Sequence, residues 1–204
     1  CGMITINGEK MSKSLGNFFT IREVLEKYHP EVVRYLLVAS HYRSPINYSE
    51  DNLRESKAAL ERFYNALKGL PVAEPAAAEE FVARFTVAMD DDFNTAGACS
   101  VLFEMAREVN RLRDSDTQAA AALAARLKSL AALLGVLQLA PEAFLQADAA
   151  GRVDAAAVET LIEARLAARA AKDWTASDQI RDQLAAMGVL LEDAKGVTTW
   201  RLAD

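Results

Sequence analysis

Lys10-Met11-Ser12-Lys13-Ser14 places two ammonium groups within four residues, interleaved with hydroxyls. When pyrophosphate leaves a nucleoside triphosphate under attack at the α-phosphorus, charge builds on the phosphate oxygens, and preorganised cations there lower the barrier more than ground-state contacts do. Lysine suits the task. Its ammonium is a compact charge on a flexible stem that can follow a departing phosphate, whereas arginine's planar fork favours a fixed bidentate grip. A Lys-Ser-rich pentamer can also serve only solubility in a solvated loop, a reading that the flanking elements weaken further.

Those elements place the pentamer between a strand and a helical region. Gly2 to Ile6 reads as a short strand and Asn7-Gly8 as a turn pair, while Thr20 can cap a helix with Ile21, Val24, Leu25 and Tyr28 on one apolar face. Pro30 opens a second helix carrying Val32, Val33, Leu36, Leu37 and Val38. Ser49 caps a third, with Leu53, Leu60, Phe63, Tyr64 and Leu67 as its inward stripe. A Pro- and Ala-rich linker over 69–78 follows. Three further stripes then fit an antiparallel bundle: Phe81, Phe85 and Met89; Val101, Leu102, Met105, Val109 and Leu112; Leu123, Leu127, Leu130, Leu134 and Leu137. Residues 135–152 read as a second connection, with a short helix possible at 141–145. Beyond it come one helix bearing Val158, Leu161, Ile162 and Leu166, and another bearing Ile180, Leu184 and Met187 that stops at Gly188. Two strands, 189–192 and 198–201, turn at Ala194-Lys195-Gly196.

The net charge of −6 is unevenly spread. Residues 1–69 carry ten Lys or Arg against eight Asp or Glu, residues 70–150 six against twelve, and residues 151–204 seven against nine. Contacts to a polyanion would therefore concentrate in the first third, at Arg43, Arg54, Lys57 and Arg62, unless these cations only solvate helix faces. Cys1, Cys99, His29 and His41 have no ligand-like spacing, so no metal site is expected here, and the cysteines read as free reduced thiols. Asp90-Asp91-Asp92 is expected to complement the dipole of the helix that follows, since adjacent carboxylates diverge too much to share a cation. His41-Tyr42-Arg43-Ser44-Pro45 is a plausible contact loop. With no long apolar run and no signal peptide, the chain is expected to be cytoplasmic, with no membrane partner.

Lys-Met-Ser-Lys-Ser is the second signature of class I aminoacyl-tRNA synthetases. The chain resembles the bacterial cysteinyl-tRNA synthetase family through residues 9–18, His41-Tyr42-Arg43-Ser44-Pro45 with Asn47-Tyr48-Ser49, Met89-Asp90-Asp91-Asp92-Phe93-Asn94-Thr95, Ala171-Lys172-Asp173-Trp174, Leu191-Glu192-Asp193 and Thr198-Thr199-Trp200. The pentamer identifies the class; the later blocks point to the cysteine family.

The resemblance implies a mainly α fold: stem-contact helices and an antiparallel helical bundle, followed by a small α+β C-terminal domain with a short β-hairpin. Residues 1–19 would end the catalytic domain, 20–69 form the stem-contact region, 70–148 a DALR-type bundle and 149–204 an anticodon-binding domain. The family activates cysteine with ATP and Mg²⁺ and charges tRNA(Cys). Lys10 and Lys13 would be catalytic, and Met11, Ser12 and Ser14 would join them around ATP. Arg169, Trp174, Asp178, Asp193 and Trp200 would face a GCA anticodon, although a solvated Asp178 and tryptophans filling a small core fit the residues as well. A 204-residue chain beginning at Cys1 is expected to be the C-terminal half, inactive alone and a monomer, with the zinc site and the His-x-Gly-His signature outside it. Two other readings are a cysteine ligase of mycothiol synthesis, which lacks an anticodon-reading end, and a non-catalytic helical binding module.

Overall fold

The computed structural model describes residues 2–18, 20–146, 155–194 and 197–202. Compactness divides the chain between Pro141 and Glu142 into two units.

In the first unit, β1 (Ile4–Ile6) and β2 (Glu9–Lys10) form an antiparallel hairpin with Thr5 opposite Lys10. Asn7 and Gly8 both take positive φ, 50° and 82°, as a two-residue hairpin turn demands. α1 (Ile21–Leu25) starts at a capping box in which the Thr20 hydroxyl and the Glu23 carboxylate satisfy each other's backbone N–H groups. α2 (Pro30–Val38) has proline in its first turn, and His29 Nδ1 accepts from the Glu31 N–H at 3.2 Å. β3 (Ile46–Tyr48) lies parallel to β1 with Ile4 opposite Ile46, so α1 and α2 form the crossover that parallel pairing requires. Gly2 lies against the end of this crossover: its N–H donates to the Tyr42 carbonyl at 2.7 Å, and a Cβ there would sit 1.8 Å from the Ser44 oxygen.

α3 (Glu50–Leu67) is capped by Ser49, whose hydroxyl accepts from the Asn52 N–H, and it packs on α2 and on two helices of the following bundle. That bundle is α4 (Glu79–Asp90), α5 (Thr95–Leu112) and α6 (Thr117–Leu133), folded back on one another by four-residue turns. Leu53, Leu60, Phe63 and Tyr64 of α3 are fully buried with Leu102, Met105 and Val109 of α5 and Leu127 of α6. Two arginines fasten the linker between α3 and α4. Arg113 donates to the carbonyls of Ala66 and Lys68, and Arg126 donates to that of Ala76, whose N–H in turn reaches Ala122. Cys99 is a free thiol on α5, and burial pushes its pKa up to about 11, which leaves it unreactive at neutral pH.

Two local expectations need correction, and two short strands went unpredicted. The apolar face of α1 is largely solvent-facing: the helix is only five residues long, Ile21 is 75% exposed, and Val24 alone of the helix is buried. β2 and β3 are too short to announce themselves by alternation. The aspartates at 90–92 do not cap α5; Asn94 does, its Oδ1 accepting from the Gly97 N–H at 2.9 Å.

The second unit holds α8 (Ala155–Ala170), α9 (Trp174–Ala186) and the antiparallel pair β4 (Val189–Ala194) and β5 (Val197–Leu202); the short α7 (Pro141–Leu145) spans the boundary. Val158, Ile162, Leu184, Val189 and Trp200 form its core. α9 ends at Gly188, with φ 76°, as the sequence predicts. Lys195 and Gly196 of the expected turn, and residues 147–154 of the expected connection, lie outside the described residues, as does Cys1. Among the described residues, no helix is long and apolar enough to cross a membrane.

Candidate functional site

The two lysines do not share one loop. Lys10 ends β2, where pairing with Thr5 fixes its backbone, and only Lys13 lies on the turn beyond. Lys13 to Leu15 make a single 3₁₀ turn with Ser12 at its N-cap: the Ser12 Oγ accepts from the Ser14 N–H at 3.2 Å, and the two hydroxyls lie 2.7 Å apart. Gly16, at φ 68°, reverses the chain and returns its N–H to the Lys13 carbonyl. The exposed Lys13 ammonium stands 5.3 Å from the centroid of the Phe18 ring, a cation–π contact, and Met11 is half-buried. Asn17, which the residue pattern did not single out, bonds to the backbone on both sides of Met11.

The loop at 41–45 is held by a residue from a distant turn. Asp92, between α4 and α5, accepts from the Tyr42 hydroxyl at 2.8 Å and from the Arg43 guanidinium at 3.0 Å, while Arg43 Nε donates to the Tyr42 oxygen. The His41 ring stacks on Tyr42 at 4.9 Å, with its Nε2 3.7 Å from Asp92. The Tyr42 hydrogen bond, followed by the charges of Arg43 and His41, holds the Asp92 carboxyl below its ordinary range. Burial is not what fixes Arg43, whose side chain is 66% exposed; its position is set by this bracing.

The other candidate cations sit on α3. Arg54 pairs with Asp51 and Lys57 with Glu61, the latter at 3.3 Å, both on the helix's own surface. Exposed pairs of this kind contribute little, so a phosphate can replace the carboxylate at small cost. Arg62 and Arg107 both line an open groove between α3 and α5, together with Ser100, Phe103, Glu104 and Asn110. The tertiary fold therefore adds an arginine that the charge count alone could not place.

In the second unit Asp173 caps α9, accepting from the Ala176 N–H at 3.0 Å, and Trp174 in the first turn is 61% exposed. Asp178, one turn further on, pairs with Arg181 at 3.1 Å, which brings in a further residue the sequence reading missed; their i, i+3 spacing was its available signal. Arg169 is exposed in the last turn of α8. Asp193 belongs to β4, with its side chain outside the described residues. Trp200 corrects the expectation of base contact. It is 2% exposed in the core, and its indole N–H donates to Glu159 at 2.9 Å, so its ring faces cannot receive a base.

Among the described residues, no group of three His, Cys, Asp or Glu side chains could hold a metal ion. Three family models match in series: the class I (C) tRNA synthetase catalytic domain over residues 1–58, the DALR domain over 84–138 and the cysteinyl-tRNA ligase anticodon binding domain over 155–201. Cysteine-tRNA ligases of Pseudomonas aeruginosa LESB58 and Pseudomonas paraeruginosa PA7 are 83% and 84% identical to the chain over all 204 residues. The chain belongs to the cysteine-tRNA ligase family. It spans 44% of the length of these relatives, as it does of the 78% identical cysteine-tRNA ligase of Azotobacter vinelandii DJ. The family assignment does not favour the mycothiol alternative. Among solved structures, the agnB2 LeuRS of Agrobacterium radiobacter K84, in a ternary complex with tRNA and LeuAMS, aligns with 69% of this chain and 23% of its own at a TM-score of 0.50. At 19% identity that likeness concerns the fold alone.

Proposed function

We propose that the chain is the tRNA-engaging C-terminal part of a cysteine-tRNA ligase, a cytoplasmic monomer that activates cysteine with ATP and Mg²⁺ and esterifies the 3′ end of tRNA(Cys). Lys10 and Lys13 stabilise the transition state from which pyrophosphate departs, with Lys13 in direct contact with ATP. Ser12 and Ser14 hold the turn by their paired hydroxyls, and Met11 packs beneath it. Cysteine selection and the zinc site belong to the remainder of the ligase, so this chain alone is inactive.

Arg43, Arg54, Lys57 and Arg62 meet phosphates along the tRNA stem, while Arg169, Trp174, Asp178 and Asp193 read the GCA anticodon. A carboxylate accepts from guanine N–H groups or a cytosine amine, and an exposed indole stacks on an unstacked base. Trp200 supports that surface from within. The observation that carries the reading is the union, in one chain, of a lysine turn leaving a strand hairpin and a separate C-terminal unit that exposes Trp174 and Asp178 one turn apart on α9.

Filter binding with tRNA(Cys) tests it. Retention is expected to fall roughly tenfold or more when an anticodon base is altered, since a well-paired base contact discriminates by about 1–3 kcal/mol. Equal retention of every anticodon would remove the anticodon role, and no retention would leave a non-catalytic module. Double reversal, Arg54→Glu with Lys57→Glu, is expected to weaken all these tRNAs alike and to flatten the salt dependence by about one log unit per cation lost. An unchanged slope would place the stem elsewhere.

A further inference from the structure

We propose that Asn17 is the positioning residue of the lysine turn, one carboxamide that sets the spacing of Lys10 and Lys13 before ATP arrives. Its Oδ1 accepts from the Ser12 N–H at 2.8 Å and its Nδ2 donates to the Lys10 carbonyl at 3.2 Å. A single planar group thus bridges the backbone on both sides of Met11. Only an amide offers an acceptor and a donor in one plane at this reach; a carboxylate lacks the donor and a hydroxyl cannot span the gap. The left-handed Gly16 makes this possible by turning the chain back towards residues 10–12.

The neighbouring side chain completes the arrangement. Phe18 holds the Lys13 ammonium over its ring, so the two residues after Gly16 divide the work: Asn17 fixes the backbone and Phe18 the charge. A second carboxamide anchors the far end of the same hairpin. Asn47 of β3 accepts from the Gly8 N–H at 2.8 Å and from the Thr5 hydroxyl at 3.2 Å, clamping the turn from which Lys10 emerges. With both ends fixed, the ordering of the lysine turn is achieved on folding and does not have to be supplied as pyrophosphate leaves.

This inference rests on the proposed role of Lys13, so Lys13→Ala is assayed beside Asn17→Ala in the full-length ligase. Losing both hydrogen bonds is expected to slow single-turnover adenylate formation about tenfold, with the KM for cysteine unchanged. Without ATP, trypsin is expected to cut after Lys10 and Lys13 several times faster in Asn17→Ala than in wild type, read by mass spectrometry. If Lys13→Ala is slow while Asn17→Ala forms adenylate at the wild-type rate or is cut at the wild-type rate, this inference is overturned and the role of Lys13 stands. If Lys13→Ala is itself as fast as wild type, the underlying reading fails.

Discussion

Replacing Lys13 by alanine in the full-length ligase is expected to slow adenylate formation by about 10²–10³-fold, the range seen when one preorganised donor to a developing anion is removed. Cysteine affinity is expected to stay within about twofold. The split follows from where the ammonium acts. A cation that meets charge only as pyrophosphate leaves contributes to kcat, whereas one that gripped the ground-state substrate would act through KM.

The structure gives this expectation a starting state. The exposed Lys13 ammonium lies over the Phe18 ring, a contact that at such a site is worth roughly 0.5–1 kcal/mol. Release towards a phosphate is therefore cheap. Lys10 differs, since its backbone is paired within β2 and its amine leaves from a fixed Cα. Lys13→Arg should keep the charge and recover part of the rate, with the planar fork following the departing group less well. Pyrophosphate exchange and single-turnover adenylate formation decide the matter, and equal losses in rate and in cysteine binding would contradict the assignment.

What could be read in the sequence, and what could not, follows the range of the interaction. Thr20, Pro30, Ser49 and Gly188 mark helix ends through chemistry completed within four residues, and the structure uses all four as expected. The core stripe of α3 is equally local in origin, because its 3.6-residue period survives whatever packs on it. β3 escaped notice because three residues carry no usable alternation, and its partner β1 lies some forty positions earlier. Asp92 was read through its neighbours in sequence, as a dipole complement; its partners are Tyr42 and Arg43, about fifty residues away. The lysines were legible as chemistry, but the carboxamides that aim them were not, since an asparagine after glycine looks like any turn residue until the bonded backbone is seen. Trp200 failed in the opposite direction: an aromatic residue in a small domain fits core and base-stacking alike, and only its burial separates the two.

The least legible residue is also the one whose loss should cost the fold most. Glu31 reads as an ordinary acid in the first turn of α2, where it suits the helix dipole. It is 6% exposed, and its two oxygens serve two other segments: Oε2 accepts from the Tyr64 hydroxyl of α3 at 2.6 Å, and Oε1 accepts from the Gln138 N–H at 3.1 Å, across 107 residues of chain. The Tyr64 oxygen then accepts from the Leu139 N–H. Burial, and next its bond to the carboxylate, raise the pKa of the Tyr64 hydroxyl, which keeps it a donor. One carboxylate therefore ties α2, α3 and the turn after α6, where Val136 and Leu137 are each 1% exposed.

Glu31→Ala strands a buried hydroxyl and a part-buried backbone N–H together, and is expected to lower stability by about 2–4 kcal/mol. Glu31→Gln keeps the size and one acceptor oxygen, so its loss should be roughly half as large. Urea unfolding offers an internal control, because both tryptophans lie in the second unit while Glu31 lies in the first. The helical circular-dichroism transition should move to lower urea, with the tryptophan-fluorescence transition left in place. A change in the helical transition below about 0.5 kcal/mol, the ordinary scale of a surface substitution, would mean that Val136 and Leu137 seat the turn without the carboxylate.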